Sequence, residues 1–593
     1  MSSTIAEFVF SKESKQLETI QSILDRYPRR PDKQIVTRIA PSPTGFLHIG
    51  SVYTGLLNEK LAHQSGGIFM VRIEDTDQAR NTTDHDTQTG GIFSIINGLT
   101  FFDIEYDEGE KLALPKEDGK RRLESVGKYG PYVQSQRLDI YKSFVKYLLE
   151  TDQAYVCFMT PQELENLRTS QQLSKQATGV YAQYALSRNL SEEEIISRIN
   201  NGDPYVIRRK ATANLDEKIT FEDGIKGTVE MQANYIDHIL LKSDGFPSYH
   251  LAHVVDDYLM GTTHVIRADE WLASVPLHIQ LFSGFAGVFT KPQRSYNHNS
   301  PIQKLDNGNR RKLSKRKDPE ADVQTLIDAG YPAEGIKTYL MCLLNSNFED
   351  RWKEKNQTQL YVSYKEFQVS LDKCNTAGAI FDMDKLRHIC AEYLAIAPLD
   401  NNENTSVLSG TLSFYWDTFQ GPRIKILDET RDDETEFRKT KNYIVDILNF
   451  DRDKKLHITY QDILDYIRPF LDDIRPFLDD IAVDTSLFPV VFSTQQRQAI
   501  LSAYTTYLET VFRDADGNTN KTQEEWFEDL KQFGKPFGVA ANNAEFKEGG
   551  YIAKVGDLAM IFRIALYGSA NTPDIYKMII TLGKDKVLKR LQA

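Results

Sequence analysis

One stretch near the N-terminus, residues 35–77, restricts the possible folds more than any other part of the chain. It begins with an apolar run, Ile35–Ile39, and continues into a turn rich in proline and glycine at residues 40–50. A helical pattern covers Val52–Gln64, and a second apolar run follows at Ile68–Ile73. Prolines and glycines in this arrangement mark a tight turn between a strand and a helix. The order strand, helix, strand predicts a βαβ unit with parallel strands, whose ligands bind at the carboxyl ends of the strands.

The turn before the helix carries the triplet His48-Ile49-Gly50. An isolated triplet of this kind is a weak signal, because a histidine beside a glycine is usually a loop residue. Its position gives it meaning, since the first turn of a helix offers free backbone N–H groups and a partial positive charge to a phosphate. The turn therefore predicts a nucleotide-phosphate site, with these candidate residues: Pro43, Thr44, Gly45, His48, Gly50 and Ser51.

Further motifs follow along the chain in a fixed order. They are Gly130-Pro131-Tyr132, Gln134–Arg137, Lys242–Ala252, Val254–Asp257, Val265–Arg267 and Lys312–Arg316. Together with Thr37–Gly45 and Arg72–Asp77, they resemble the motifs of bacterial-type glutamyl-tRNA synthetases, which are class I aminoacyl-tRNA synthetases. The resemblance covers residues 35–395 well, and beyond this range only the tail at 556–591 matches clearly.

This resemblance implies an α/β Rossmann-type class I catalytic domain with an α+β acceptor-binding insertion, followed by stem-contact and all-α anticodon-binding domains. The boundaries that it implies are an N-terminal extension at 1–33, a split catalytic domain at 34–137 and 243–293, the insertion at 138–242, a stem-contact domain with the Lys-Leu-Ser-Lys-Arg loop at 294–395, and a helical anticodon-binding region at 396–593.

The activity implied by the resemblance is ATP-dependent activation of L-glutamate and its transfer to tRNA(Glu). The family's catalytic positions correspond to His48, Gly50, Lys312, Ser314 and Lys315. Its ATP-binding positions correspond to the turn residues above together with Glu270 and Lys315. Its glutamate-binding positions correspond to Arg38, Ala40, Ser42, Glu74, Tyr249, His253 and Arg267. Four of these have a structural alternative: Arg38 suits an ordinary ion pair, Glu74 a helix cap, Tyr249 a core aromatic, and His253 a packing position.

The formal net charge of −13 is unexpected for a protein that would bind a polyanion. Local basic surface matters more than the total charge, however. Residues 310–317 carry six cations in eight positions. A run of this kind is usually a solvated loop, but in the order of motifs above it matches the second class I signature, whose lysine, here Lys315, would stabilise the departing phosphates.

Length and composition limit the number of domains, the location of the protein and its metal content. At 593 residues the chain is long enough for several domains, and no run of eighteen apolar residues predicts a transmembrane helix. The acidic residues in 1–33 do not suit a targeting peptide, so we expect a cytoplasmic protein, and we expect a monomer. Mg²⁺ should be carried mainly by ATP and water, without a dedicated site in the protein. Some relatives hold zinc in the insertion, but here Cys157 is the single thiol in that region, so no zinc is expected.

Three alternatives compete with this interpretation. A shorter tRNA-modifying paralogue would lack the roughly 200 residues that follow the stem-contact region here. A glutaminyl enzyme would begin with a different proline-rich turn. A catalytically inactive RNA-binding protein on the same scaffold would have lost His48 or Lys315, and both are present. The sequence leaves open whether the protein also charges tRNA(Gln), because the anticodon-binding region is its least recognisable part.

A seven-residue unit occurs twice in succession, at Ile467–Asp473 and Ile474–Asp480. Each copy contains a proline, which removes a helix hydrogen bond, so a kinked segment is expected. The duplication is interpreted as an insertion in a surface helix or loop.

Overall fold

The computed structural model describes residues 2–11, 17–43, 47–77, 91–113, 122–290, 294–314, 316–354, 366–399, 406–417, 424–449, 454, 457–471, 491–512, 519–568 and 572–591. The chain divides into two compact units, one formed by Met1–Leu326 with Ile336–Met383 and the other by Ile327–Gly335 with Asp384–Ala593. Within the described ranges, no helix has both the length and the apolar character needed to cross a membrane.

Up to residue 354, the described helices are α1 (Ser2–Phe10), α2 (Ile20–Arg26), α3 (Ile49–His63), α4 (Gly91–Phe101), α5 (Leu138–Glu150), α6 (Pro161–Leu173), α7 (Glu192–Asn200), α8 (Tyr249–Leu259), α9 (Val275–Gly284), α10 (Val323–Asp328), α11 (Ala333–Leu344) and α12 (Ser346–Glu354). The strands are β1 (Val36–Ile39), β2 (Ile68–Val71), β3 (Gly109–Leu112), β4 (Leu123–Val126), β5 (Ala154–Cys157), β6 (Val206–Arg209), β7 (Lys218–Asp223), β8 (Gly227–Gln232), β9 (Ile239–Leu241), β10 (His264–Ala268), β11 (Ser295–Asn299), β12 (Gln303–Asp306) and β13 (Asn309–Lys312).

The predicted βαβ unit is confirmed as β1, α3 and β2. The two strands pair in parallel, with Val36 opposite Ile68. Helix α3 begins slightly earlier than the apolar pattern indicates, because the side chain of His48 caps its first turn. Gly67 precedes β2 where no other residue fits, since a Cβ there would lie 2.1 Å from the carbonyl oxygen of Ile35. The carboxyl ends of β1 and β2 therefore meet at the edge where His48 lies.

A second parallel pair continues this sheet. The backbone N–H of Thr263, just before β10, donates to the carbonyl of Val36 in β1 (3.0 Å), and β10 pairs in parallel with β11. Strand β11 lies beyond residue 293, where the sequence places the end of the catalytic fold. It reads Ser-Tyr-Asn-His-Asn, and Asn297 and His298 are fully buried. An apolar pattern could not reveal this strand, because its buried positions are polar.

A hairpin from the predicted insertion also joins this sheet. Strands β7 and β8 are antiparallel, and Asp223 at the end of β7 lies opposite Tyr296 of β11. The turn after Asp223 contacts β11 closely, since a Cβ on Gly224 would lie 2.1 Å from Oδ1 of Asn297. The rest of this segment contains α6, α7 and the antiparallel sheet β5–β6–β9, which is the α+β architecture expected for it.

The N-terminal extension packs against the catalytic fold. Val9 of α1 and Ile23 of α2 belong to the same apolar cluster as Val36 of β1 and Leu251 of α8. After α2, the hydroxyl of Tyr27 accepts a hydrogen bond from Nη1 of Arg137 (2.9 Å), and that arginine also pairs with a buried aspartate. The extension is thus an integral part of the first unit.

The second unit is mainly helical, as expected for the C-terminal region. From residue 383 onward the described helices are Met383–Ile396, Val407–Asp417, Lys425–Thr430, Glu434–Leu448, Tyr460–Leu471, Thr494–Val511, Gln523–Gly534, Asn543–Glu548, Val555–Tyr567 and Ile575–Leu591, the last interrupted at Gly583. Two short parallel strands, Val539–Ala540 and Ala553–Lys554, accompany them.

The first copy of the duplicated heptad corrects the expectation of a surface segment. It completes the helix Tyr460–Leu471, with Pro469 inside that helix. Ile467 and Phe470 are fully buried, because the helix has one strongly apolar face that packs into the second unit. The second copy lies outside the described residues.

Candidate active site

The first functional element is the N-terminus of α3. Nδ1 of His48 accepts a hydrogen bond from the backbone N–H of Gly50 (2.8 Å), so a neutral ring carries its proton on Nε2. A Cβ on Gly50 would lie 2.9 Å from that same Nδ1, which explains the glycine. Ser51 follows within the first turn. An N–H donor at Nε2 and the positive end of the helix together suit a phosphate.

The predicted turn before this helix is described only in part. Pro43 is buried, whereas Thr44 and Gly45 lie outside the described residues. Ala40 and Ser42 are described, and both line the cavity discussed below.

The second element is the basic loop after the hairpin β12–β13. Asp318 is 1 % exposed and accepts hydrogen bonds from the Ser314 backbone N–H (2.9 Å) and from both Nη atoms of Arg311 (2.6 and 2.8 Å). These hydrogen bonds, chiefly those from Arg311, hold the pKa of the Asp318 carboxyl well below its ordinary value. The Asp318 carboxylate is therefore an anion that pairs with Arg311 and holds the loop in place through the Ser314 backbone. Lys315 lies outside the described residues.

A predicted catalytic residue, Lys312, contacts a predicted ATP-binding residue, Glu270. Nζ of Lys312, at the end of β13, forms an ion pair with a carboxylate oxygen of Glu270. Both side chains are about half exposed, at 51 % and 48 %, so an incoming phosphate or ribose can compete for them.

The third element is Arg267, in β10. Its Nε donates to Nε2 of His298 (3.0 Å), its Nη1 donates to the hydroxyl of Tyr249 (2.9 Å), and its Nη2 donates to the carbonyl of Trp271 (3.2 Å). Nδ1 of His278 lies 3.4 Å from Nη1. No carboxylate among the described residues pairs with this arginine, although it is only 6 % exposed. A buried guanidinium without an anion is a strong candidate to bind one.

Tyr249 adds a second donor beside this arginine. Burial raises the pKa of its hydroxyl to about 12, so the group stays protonated at neutral pH. Since the hydroxyl oxygen accepts from Arg267, its own hydrogen is available to a ligand oxygen.

Arg38 has different partners from Arg267. Its Nε and Nη2 donate to the two carboxylate oxygens of Asp257 (3.1 and 3.3 Å), and its Nη1 donates to the carbonyl of Ile266 (3.3 Å). Burial would raise the pKa of Asp257, but the surrounding cations, Arg38 first, hold it well below its ordinary value. Arg38 thus forms a buried ion pair, the structural alternative considered for it, and it also lines the cavity.

His253 lies between these groups. Burial lowers the pKa of its ring well below the ordinary value, so the ring is neutral. Its Nδ1 lies 3.4 Å from Nη2 of Arg38, and its Nε2 lies 3.2 Å from Asp257 without the alignment of a hydrogen bond.

Glu74 follows β2 at the edge of the cavity. Its Oε1 accepts from Nη2 of Arg72 (3.0 Å). Burial raises the pKa of this carboxyl, while Arg72 opposes the increase. The neighbouring Asp256 has a structural role, because it accepts hydrogen bonds from Arg137 Nε and Tyr141 Oη (both 2.8 Å).

A cavity of about 450 Å³ brings these elements together, which is a normal volume for a small-molecule site. The predicted residues that line it are Arg38, Ala40, Ser42, His48, Gly50, Ser51, Glu74, Tyr249, His253, Arg267, Glu270 and Lys312. Pro43 and Ser314 are close in sequence to this lining but are not part of it. The lining also includes Trp271 and Asn299, which the motifs missed. Asn299 is the last residue of β11 and Trp271 follows β10, so both lie at the carboxyl ends of parallel strands, the position that could have identified them.

The insertion offers no evident metal site. Cys157 is buried, and its Sγ accepts a hydrogen bond from Nε of Arg208 (3.3 Å). Across the part of the chain that the structure describes, no group of three histidine, cysteine or acidic side chains could hold a metal ion.

Comparisons with known proteins agree with this geometry. The family model described as "tRNA synthetases class I (E and Q), catalytic domain" matches residues 34–387, and an anticodon-binding-domain model matches 458–593. The glutamate–tRNA ligase of Acetivibrio thermocellus is 36% identical over 559 residues, covering 94% of this chain and 93% of the relative. That of Clostridium perfringens strain 13 is 36% identical over 595 residues, covering 99% of both.

A solved structure gives the same result. The crystal structure of a glutamate tRNA ligase from Elizabethkingia meningosepticum in complex with its amino acid superimposes with a TM-score of 0.64 at 25% identity, covering 94% of this chain and 98% of that one. With the catalytic-domain match spanning more than half of the sequence, this chain belongs to the glutamate–tRNA ligase family of class I tRNA synthetases.

Proposed function

We propose that this protein attaches L-glutamate to the 3′-terminal adenosine of tRNA(Glu) in two steps. First, an oxygen of the glutamate α-carboxylate attacks the α-phosphorus of ATP, the bond to the β-phosphate breaks, and glutamyl-adenylate and pyrophosphate form. Next, the 2′-hydroxyl of the terminal adenosine attacks the activated carbonyl and loses its proton as AMP leaves. Family membership supports the reaction and its three substrates, glutamate, ATP and tRNA.

The observation that carries this proposal is the pairing of two anion-binding features in one cavity. Arg267 is a buried cation without a carboxylate partner among the described residues, and His48 marks the positive end of α3. Glutamate supplies a side-chain carboxylate to the first, and ATP supplies phosphates to the second. Both substrates thus meet with their reacting groups adjacent, which supplies much of the rate enhancement in reactions of this kind.

The glutamate side is assigned as follows. One Nη2 hydrogen of Arg267 and the hydroxyl of Tyr249 donate to the side-chain carboxylate of glutamate. Arg38, which also lines the cavity, adds positive charge. Glu74 accepts from the substrate α-amino group, with Ser42 beside it. His253 and Ala40 shape the pocket.

The phosphate side is assigned to His48, Gly50, Ser51, Lys312 and the Ser314–Lys315 loop. Nε2–H of His48 and the first N–H groups of α3 stabilise charge on the phosphates, and the loop lysines do the same as pyrophosphate leaves. The role of Lys315 rests on its motif. Glu270 binds the nucleoside, with Pro43, Thr44 and Gly45 completing the turn. Mg²⁺ that enters with ATP would supply further neutralisation of phosphate charge, coordinated mainly by phosphate oxygens and water.

The other regions receive the roles that the family suggests. Residues 138–242 bind the tRNA acceptor end, 294–395 contact the stem, and 396–593 bind the anticodon. The protein acts as a monomer in the cytoplasm and needs no zinc.

Aminoacylation of purified tRNA transcripts tests the proposal. With tRNA(Glu) and tRNA(Gln) at identical salt, we expect ATP-dependent charging of tRNA(Glu) by glutamate and not by glutamine. Fixed salt matters because tRNA affinity depends strongly on ionic strength. Charging of tRNA(Gln) at a similar rate would show the non-discriminating alternative, and an absence of charging on either tRNA would favour the inactive RNA-binding paralogue.

A further inference from the structure

A buried chain of three side chains ends at Arg267. Nε of this arginine donates to Nε2 of His298 (3.0 Å), and Nδ1 of the same histidine lies 2.6 Å from Oδ2 of Asp223. The exposed fractions of the three residues are 6 %, 0 % and 2 %. The motifs singled out neither His298 nor Asp223, and the proposed reaction does not use them.

Arg267 determines which ring nitrogen of His298 carries the proton in this chain of three side chains. A guanidinium has no acceptor, so Nε2 of His298 must accept and the ring proton must be on Nδ1, where it is donated to Asp223. Burial lowers the pKa of His298, which keeps the ring neutral at neutral pH. Burial would raise the pKa of Asp223, but hydrogen bonds from His298 and from the Lys226 backbone outweigh that effect and leave it lowered.

Asp223 is itself held firmly at the tip of the hairpin β7–β8. Its Oδ1 accepts from the backbone N–H groups of Ile225 (3.0 Å), Lys226 (3.0 Å) and His298 (3.1 Å). Nζ of Lys226 ties the same turn to Oγ of Ser300 (2.6 Å). The carboxylate is therefore a fixed point from which the histidine is oriented.

We propose that Asp223 and His298 are positioning residues that orient the Arg267 guanidinium toward the side-chain carboxylate of glutamate. With Nε held by His298, the arginine presents a defined edge, in which Nη1 is bonded to the Tyr249 hydroxyl and Nη2 lies next to it. This inference rests on the proposed function, in which Arg267 reads glutamate. It links substrate specificity to a hairpin from the predicted acceptor-binding insertion.

Asp223→Asn tests the chain with little loss of packing. The asparagine Oδ1 can keep the three backbone hydrogen bonds, but its Nδ2 is a donor and faces Nδ1 of His298. The ring must then move its proton to Nε2, where it opposes the Nε–H of Arg267, so the arginine loses its acceptor. We expect the glutamate KM in tRNA(Glu) aminoacylation to rise roughly 10- to 100-fold, the loss of one hydrogen bond to a charged group. The ATP KM and the melting temperature should change little.

Two substitutions of His298 separate its contact with Arg267 from its contact with Asp223. His298→Gln can place an acceptor near the position of Nε2, whereas His298→Asn reaches only the position of Nδ1. We expect Gln to retain a glutamate KM closer to that of the wild type, and Asn to behave like Asp223→Asn. Glu222→Gln is the matched control, because it removes the same charge from the adjacent, exposed position of β7 and should leave both KM values unchanged.

Arg267→Gln shows whether a negative result contradicts the positioning role or the proposed function. If it raises the glutamate KM while Asp223→Asn and His298→Asn do not, the positioning role is overturned and the proposed function stands. If those two variants lower the melting temperature and raise both KM values together, their role is structural and the inference is also overturned. If the wild-type protein itself fails to use glutamate, the proposed function fails first.

Discussion

Two arginines on the parallel sheet show how much a residue's partners decide its role. Arg38 and Arg267 are both buried and both line the cavity. Arg38 is paired through two nitrogens with Asp257, whereas Arg267 donates only to neutral groups. The motifs identified both residues as glutamate ligands but could not identify the partner of Arg38, because pairing with a distant aspartate is set by the tertiary fold.

Arg267→Gln should reduce the use of glutamate far more than the use of ATP. Loss of the guanidinium leaves the substrate carboxylate desolvated and without its charged partner, so kcat/KM for glutamate should fall by about 10²–10⁴. Steady-state aminoacylation gives both KM values, and the melting temperature provides the control for folding. An unchanged glutamate KM with a lower melting temperature would reduce Arg267 to a scaffold residue.

Arg38→Gln should give the opposite balance. Breaking a buried ion pair by removing one partner costs up to about 3–5 kcal/mol, and here it leaves Asp257 with fewer cations. The free energy of unfolding of this variant, from urea denaturation, should fall clearly below that of Arg267→Gln. Equal stability of the two variants would contradict the distinction drawn between them.

At the scale of elements, sequence patterns predicted those parts of the fold whose burial is apolar. The βαβ unit of β1, α3 and β2 followed from two apolar runs and a proline-rich turn. Strand β11 could not be predicted in the same way, because its buried residues are polar and are satisfied by partners such as Asp223 from a distant hairpin. The catalytic sheet therefore extends beyond the boundary that motifs alone suggested.

Helix α3 provides an internal comparison, with a histidine near each end. His48→Ala should lower adenylate formation by about 10²–10³ with little change in the glutamate KM, because it removes a donor to charge developing on phosphate. His63→Ala, at the opposite end of the same helix and paired with exposed Asp107, is the control. Pyrophosphate exchange in the presence of tRNA(Glu) measures both variants. Near-wild-type exchange by His48→Ala would remove the phosphate assignment.

For the molecule as a whole, activity should not require zinc. Cys157 is the single thiol in 138–242, fewer ligands than a four-coordinate site needs, and its sulfur already accepts from Arg208. Elemental analysis of chelator-washed protein should find no stoichiometric zinc while aminoacylation continues. Stoichiometric zinc in the active protein would show that the ligands come from elsewhere in the chain.

Binding of tRNA should be coupled to the activation of glutamate. The family resemblance implies that glutamate activation depends on bound tRNA, whose acceptor end helps to form the productive pose of ATP. Energy from a remote part of one substrate would then order the reacting centre, which is how binding raises a rate rather than only an affinity. The contact between the hairpin β7–β8 and β11 gives the predicted insertion a physical connection to the cavity.

Pyrophosphate exchange should therefore be weak with ATP and glutamate alone and should rise by at least about 10² when tRNA(Glu) is added. A tRNA(Glu) transcript that lacks its terminal adenosine is the matched control, since it keeps the stem and anticodon but cannot deliver the acceptor end. If exchange with this shortened tRNA equals that with the intact one, the stem or anticodon carries the coupling instead. Strong exchange without any tRNA would contradict the dependence itself, because the cavity would then be fully formed by the protein and its two small substrates.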